Sequence, residues 1–459
     1  MITKYQCLID PKERNKMKKY LYIYLTVISL AVNAQRPDPV PAQSQRILIM
    51  NGVAHIGNGN VIENSAIGFE NGKLTLVADA TVIRLDKSKF DKVIDAQGKH
   101  IYPGLIECNS TLGLTEIDMV RSTVDNFEVG DMNPNVRSLI AYNSDSRIIP
   151  TVRSNGVLLA QIVPSGGTIS GQSSVVQLDA WNWEDAAYKT DEGIHLNWPR
   201  MYISKGGNAE PEEAQRTKIQ RQLNDLQLYF DEAKAYSLTS PSTLASALGA
   251  ESKLTTDQNL KFESMRGLFN GTKSLYVHCD YVKEMVSAIS MADKFGIRLV
   301  IVGGGDAYRI TDLLKSKNVA IILGRTHSLP PREDDDVDLQ YKLPAILSKA
   351  GINYTISMDG SWQGRNLAFN AGTSAAYGLT KEEALMSITL NAAKILGIST
   401  TAGSLETGKD ATLIISSGDV LDMKSNHVES AFINGREISV DNFQKQLNQT
   451  YKTKYGIKK

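Results

Sequence analysis

The chain has little cysteine, few aromatic residues and no excess of either charge. It holds three cysteines in 459 residues, 7% aromatics, and 50 basic side chains against 50 acidic ones. Two of the cysteines, Cys108 and Cys279, lie beyond residue 34. Two are too few for a disulfide framework, and both sit in apolar strand-like runs, as small buried residues do. The charge balance excludes the basic block that a nucleic-acid partner would need. No apolar run approaches the ~20 residues that span a bilayer, so no membrane anchor is expected. "GGG" at 303–305 is no G-x-G-x-x-G fingerprint, and the loop "VPSGGTISGQSS" (163–174) lacks the G-x-S-x-G spacing of a serine elbow.

The N-terminus reads as an address. "MKKYLYIYLTVISLAVNAQ" starts at Met17 with two lysines, an apolar run from Leu21 to Val32, and small residues at Ala31 and Ala34. That is a secretory signal peptide over 1–34, with 1–16 a possible misread start, and it implies a secreted or periplasmic protein. Six basic and two acidic residues fall in 1–34, so the remainder carries 44 against 48, a net of about −4.

Residues 35–98 read as β. "RILIMNGVAHIG" and "SAIGFENGKLTLVA" are broken by Asn-Gly turns, a hairpin signal. From about 270, apolar strands alternate with helices: "SLYVHC", then "YVKEMVSAISMADKFG" with Val282, Met285, Val286 and Ile289 on one face, then "IRLVIVGG", "VAIILG" and "INYTISMD". A helix containing Pro344 precedes the last of these, and Thr380 with Glu383 forms a capping box. Such alternation predicts an α/β fold, a (β/α)₈ TIM-type barrel over 99–400 with its sheet covered by helices. "GVLLAQIVPSGG" and "SSVVQLDAW" are strand candidates in its less clear first half, and 204–270 is a polar, helix-rich insertion or lid. The end, 401–459, returns to β and is expected to pair with 35–98 in a small composite β-sandwich domain.

Three stretches carry a resemblance: "DAQGKHIYPGLIE", "GRNLAFNAGTSAAYGLTKEEALMSITLNAAKILGI" and "GSLETGKDATLII". In order and spacing they resemble the amidohydrolase superfamily, close to its imidazolonepropionase-like branch, over about 46–440. The resemblance implies hydrolysis on one or two divalent metals at the barrel mouth, where a metal activates water and polarises a carbonyl. It also implies the ligand positions: His-x-His after strand 1, a carboxylated lysine or glutamate on strand 4, histidines on strands 5 and 6, and an aspartate on strand 8. In this chain the first pair falls on Asn109 and Thr111. "SSVVQL" offers Gln177 for strand 4. His278 and Asp359 keep their positions, and Gly303 stands at the strand-6 histidine.

Two surviving ligands fall short of the three that a catalytic zinc normally has. No cofactor and no tightly bound metal is expected, with a weak zinc on His278 and Asp359 as the alternative. The two then read as a metal-free pair, Asp359 activating and His278 polarising a substrate group, against the plainer reading of a structural histidine and a strand-end carboxylate. Arg365, Asn366, Ser170, Asn109 and Thr111 are candidate substrate contacts. The run Asp125, Glu128, Asp131, flanked by Arg121 and Arg137, is placed over the pocket. Cys108 is expected to point away from the lumen, and His327 reads as a loop residue. "REDDDVD" (332–338) reads as solvated, and His55, His100, His195 and His427 receive no role.

Two functions follow. One is a divergent hydrolase of carbon–nitrogen bonds, on a small cyclic amide or peptide-like substrate. The other is an inactive, metal-free relative that binds a small ligand or partners an intact paralogue. A homodimer is the expected assembly of such barrels.

Overall fold

Two kinds of apolar pattern build two sheets. The computed structural model describes residues 39–206, 209–238 and 259–457; the leader lies outside these residues, as does the stretch 239–258 of the insertion expected over 204–270. Alternating runs make the first sheet from both parts of the chain: β1 (Ile47–His55), β2 (Val61–Glu70), β3 (Lys73–Asp79), β4 (Lys92–Asp95) and β5 (His100–Pro103) join β14 (Leu413–Ser416), β15 (Val428–Ile433) and β16 (Arg436–Ile438). The sheet extends past residue 98, because His100–Pro103 pairs with β14. It folds over on itself, so that Phe69 of β2 meets Phe432 of β15 edge-on at 5.2 Å. Asn71-Gly72 and Asn434-Gly435 turn their hairpins with both residues at positive φ, as a tight two-residue loop requires.

Continuous apolar runs make the second sheet, an eight-stranded barrel in the order β13 to β6. Its strands are β6 (Leu105–Ser110), β7 (Val157–Ile162), β8 (Ile169–Gln177), β9 (Ala187–Asn197), β10 (Ser274–Cys279), β11 (Leu299–Gly303), β12 (Ala320–Leu323) and β13 (Tyr354–Ile356). The expected barrel is present, with one departure from the regular pattern. β8 runs antiparallel to both β7 and β9. The six residues between β7 and β8 are too few for a parallel crossover, which takes a dozen or more.

Helix Val282–Phe295 shows how the outer layer forms. Met285, Ala288, Ile289 and Ala292 are buried, while Val286 faces out, and Gly296 ends the helix at φ 69°. Helix Leu390–Ile395 closes the barrel floor: Ala392, Ala393 and Ile395 pack with Ile106, Cys108, Tyr276, Val300 and Ile322 in one interior cluster. Cys108 therefore faces the lumen, contrary to the expectation. The left-handed residue Asn109 (φ 53°) breaks the alternation beside it, and burial pushes the Cys108 thiol well up, away from nucleophilic use.

β6 and β13 are joined by side chains. Buried Glu107 accepts from Met358 N (2.8 Å) and lies 3.4 Å from Ser357 Oγ. Ser357 Oγ donates to the Cys108 carbonyl (2.7 Å), and Ser110 Oγ to that of Gly360 (2.7 Å). Glu107 Oε2 has no partner, and burial pushes the carboxyl up to about 8, so it is neutral at pH 7. The folded chain thus keeps a proton that the unfolded chain releases above its ordinary value of 4.5, and stability falls as pH rises between these values. In Glu107→Gln the decline in melting temperature between pH 6.5 and 8 should flatten. Glu192, shifted in the same direction, leaves part of the slope.

Candidate active site at the barrel mouth

The C-terminal ends of β6, β9, β10, β11 and β12, with the segment after β13, surround a cavity of about 610 Å³, lined among others by Asn109, Asn197, His278, Asp280, Gly303 and Asp359. Three residues singled out in the sequence meet here: Asn109, His278 and Asp359. The closure described above brings the first and last together. Thr111 N and Ser110 Oγ both donate to the Gly360 carbonyl, which clamps the turn after β13 onto the turn after β6. Asp359 (φ 56°) and Asn109 (φ 53°) both adopt the left-handed conformation that Asp and Asn tolerate. Asp359 is exposed, and Gly360 N donates to its Oδ1 (2.9 Å).

The other four candidate contacts are not among the lining residues. Thr111 is used in the turn, its carbonyl accepting from Leu114 and Thr115. Ser170 is one step removed: it is buried and accepts from Asn197 Nδ2 (3.1 Å), which lines the cavity. Arg365 lies over the Trp362 ring at 4.9 Å and donates to its carbonyl. Asn366 takes the Asn370 amide on its carbonyl.

Gln177 has the wrong address. Because β8 is reversed, Gln177 pairs with Leu159 toward the barrel floor and accepts from Arg436 of β16 (2.6 Å). The fourth strand of the barrel is β9, which regains the direction of β7, and it carries His195, a residue given no role in the sequence. His195 is fully buried, and its Nδ1 is hydrogen-bonded to His278 Nε2 at 2.9 Å. The Tyr276 ring stacks on it at 4.7 Å, tilted by 8°. Tyr276 in turn donates to buried Glu192 (2.6 Å), which also accepts from Gln161 Nε2 and Ser173 Oγ (2.6 Å each). Gln161 Oε1 accepts from Asn109 N at 3.1 Å. One buried carboxylate thus supports both sides of the mouth. A signal for His195 was available in "GIHLN", a short apolar run beginning at a glycine.

His195 Nε2 is buried without a partner. A bare lone pair costs less there than an orphaned N–H. The favoured tautomer therefore has His195 Nδ1–H donating to His278 Nε2, which leaves His278 Nδ1–H as a donor. Burial lowers the His278 pKa to about 4 and holds His195 well below its usual range, so both rings are neutral at pH 7.

At β11, Gly303 (φ 99°) leaves no room for a side chain: a β-carbon there would lie 2.6 Å from Asp280 Oδ1. Asp280 accepts from Gly305 N (3.2 Å). Among the described residues no three His, Cys, Asp or Glu side chains are grouped to hold a metal ion. Where the resemblance expects the first two ligands and the strand-6 histidine, this chain has neutral Asn109 and Thr111 and no side chain at 303, a donor set that does not fit a catalytic zinc. His327 lies on a loop, bonded to Thr373 Oγ1 at 2.6 Å.

Residues 267–438 match the model of the amidohydrolase family. An amidohydrolase structure from Thermotoga maritima MSB8 superposes with a TM-score of 0.74 at 26% identity, over 86% of this chain and 99% of that one. The imidazolonepropionase of Pseudomonas savastanoi pv. phaseolicola is 25% identical over 396 residues, 79% of this chain and 89% of that one. Amidohydrolase tasK of Hapsidospora irregularis is 32% identical over 116 residues, and the match spans 11% of its length.

Between pH 6.5 and about 4 the unfolded chain binds a proton at position 278 that the folded chain refuses, so stability falls as pH is lowered through that window. His195 acts in the same direction. Imidazole NMR should show both rings neutral at pH 5.5, with His278 protonated on Nδ1. A titration of either ring near 6.5 would contradict the buried pair.

Proposed function

The chain belongs to the amidohydrolase superfamily, and from that premise we propose that it hydrolyses a carbon–nitrogen bond in a small cyclic amide or peptide-like substrate. The observation that carries this reading is the meeting of Asn109, His278 and Asp359 in one cavity at the mouth of the barrel, where such barrels place their chemistry.

The residues divide the work. Asp359, exposed and with its second oxygen outside the bond from Gly360 N, takes a proton from water as the water adds to the carbonyl carbon. The His278 N–H, backed by His195, donates to the carbonyl oxygen as it gains charge. The C–N bond breaks as the departing nitrogen receives the proton from Asp359. A neutral imidazole suits a donor role, because its proton stays in place across the physiological range. The leader at 17–34 supports action outside the cytoplasm. A second reading is a relative that binds its ligand without turning it over, since among the described residues His278 and Asp359 are the kept ligand positions at the mouth.

Elemental analysis of protein purified without chelator should find zinc well below one per chain. Small amides, dipeptides and lactams are then assayed for turnover. Asp359→Ala and His278→Ala should each lower kcat by about 10²-fold or more, and His195→Ala should do so less, by freeing the His278 ring. Turnover that survives both of the first two changes removes this mechanism. Ligand binding without turnover across the panel selects the second reading.

A further inference from the structure

The last helix of the described chain, Phe443–Tyr455, contains no buried residue. Yet Phe443, Leu447, Tyr451 and Tyr455 recur every four positions and are 54%, 38%, 53% and 65% exposed; Ile457, just beyond, is 59% exposed. A four-residue repeat keeps these side chains along one slowly turning stripe. Between 443 and 457 the charged residues are Lys445, Lys452 and Lys454, with no Asp or Glu, and two more lysines follow in the sequence. Overall neutrality hides this local excess.

The helix is held at one end. Asn442 caps it, accepting from Lys445 N (2.8 Å), and donates from Nδ2 to Ser154 Oγ (2.7 Å). Thr151 Oγ1 donates to Gln444 (2.9 Å). Beyond this first turn two side-chain bonds run along the helix itself, Thr450 to Gln446 and Thr453 to Gln449. An anchored first turn with an apolar stripe on the free remainder presents a surface without folding it into the core.

We propose that this helix docks the protein on an anionic lipid surface, lying in the headgroup layer. A second copy is a poor occupant. Thirteen residues make a helix of about 20 Å, and a face about 10 Å wide offers roughly 200 Å², far below the ~800 Å² per partner of a stable interface. Helix-on-helix pairing would also set like charges together. Lysine is depleted in protein–protein interface cores, whereas Lys flanking Phe, Leu and Tyr is the composition of an interfacial helix, with Tyr suited to headgroup level. The helix lies on the surface and does not cross it: among the described residues no helix is long and apolar enough to span a membrane. This binding is independent of the reaction at the mouth.

The test is co-sedimentation of the full chain with phosphatidylcholine vesicles containing roughly one-third phosphatidylglycerol, against phosphatidylcholine alone. Binding is expected on the anionic vesicles and should weaken at least tenfold in about 0.5 M salt. Lys452→Glu with Lys454→Glu, and separately Leu447→Glu with Tyr451→Glu, should each reduce it by a similar factor. Melting temperatures should stay unchanged, since none of the four residues is buried. Equal binding to neutral vesicles, absence of binding, or binding kept by both variants overturns the proposal. Self-association abolished by the Leu447 and Tyr451 changes, without vesicle binding, assigns the stripe to a second copy instead. Capture by polyglutamate but not by vesicles assigns it to an acidic protein.

Discussion

The barrel closes through a handful of side-chain bonds between its first and last strands, and the candidate site depends on that seam. Glu107, Ser110 and Ser357 span β6 and β13 where a ladder of backbone bonds would otherwise run. The two turns that follow these strands are held in left-handed conformations and pinned to each other. That arrangement sets Asn109 next to Asp359. A carboxyl buried without a full set of partners is costly. It stays neutral, and in return fixes the relative height of two strands whose ends line the candidate site.

A second buried carboxylate does comparable work on the other side. Glu192 gathers Gln161, Ser173 and Tyr276, and through them reaches the backbone of Asn109 and the ring of His195. Networks of this kind are worth having when every member is satisfied. Here one atom is not: His195 Nε2 is the unpaired end of the chain of bonds. Its vacancy decides the tautomer, and the tautomer decides what His278 can offer a ligand.

Much of this was legible in the residues. Alternating strands and helices from Ser274 to Leu396 announce the barrel, and the family resemblance carried by "PGLIE" and "YTISMD" points to Asn109 and Asp359. The first half was harder, for a physical reason. A continuous apolar run states that a strand is buried but not which way it points, and so Gln177 was assigned to the mouth when reversal of β8 sends it to the floor. The short link before β8 carried the missing information. His195 was passed over because β9 is irregular: Asp191 takes a positive φ, and register shifts interrupt its pairing with β8. The expectation for Cys108 failed through the same kind of irregularity, at Asn109.

Gly303 shows a different kind of dependence. Its backbone sits at φ 99°, and the place of its missing β-carbon is taken by the Asp280 carboxylate. A histidine introduced at 303 would meet an occupied space and a backbone made for glycine. A side chain at this position could enter the mouth only if Asp280 and the 303–305 turn moved with it, so the end of β11 and the turn after β10 can change only together.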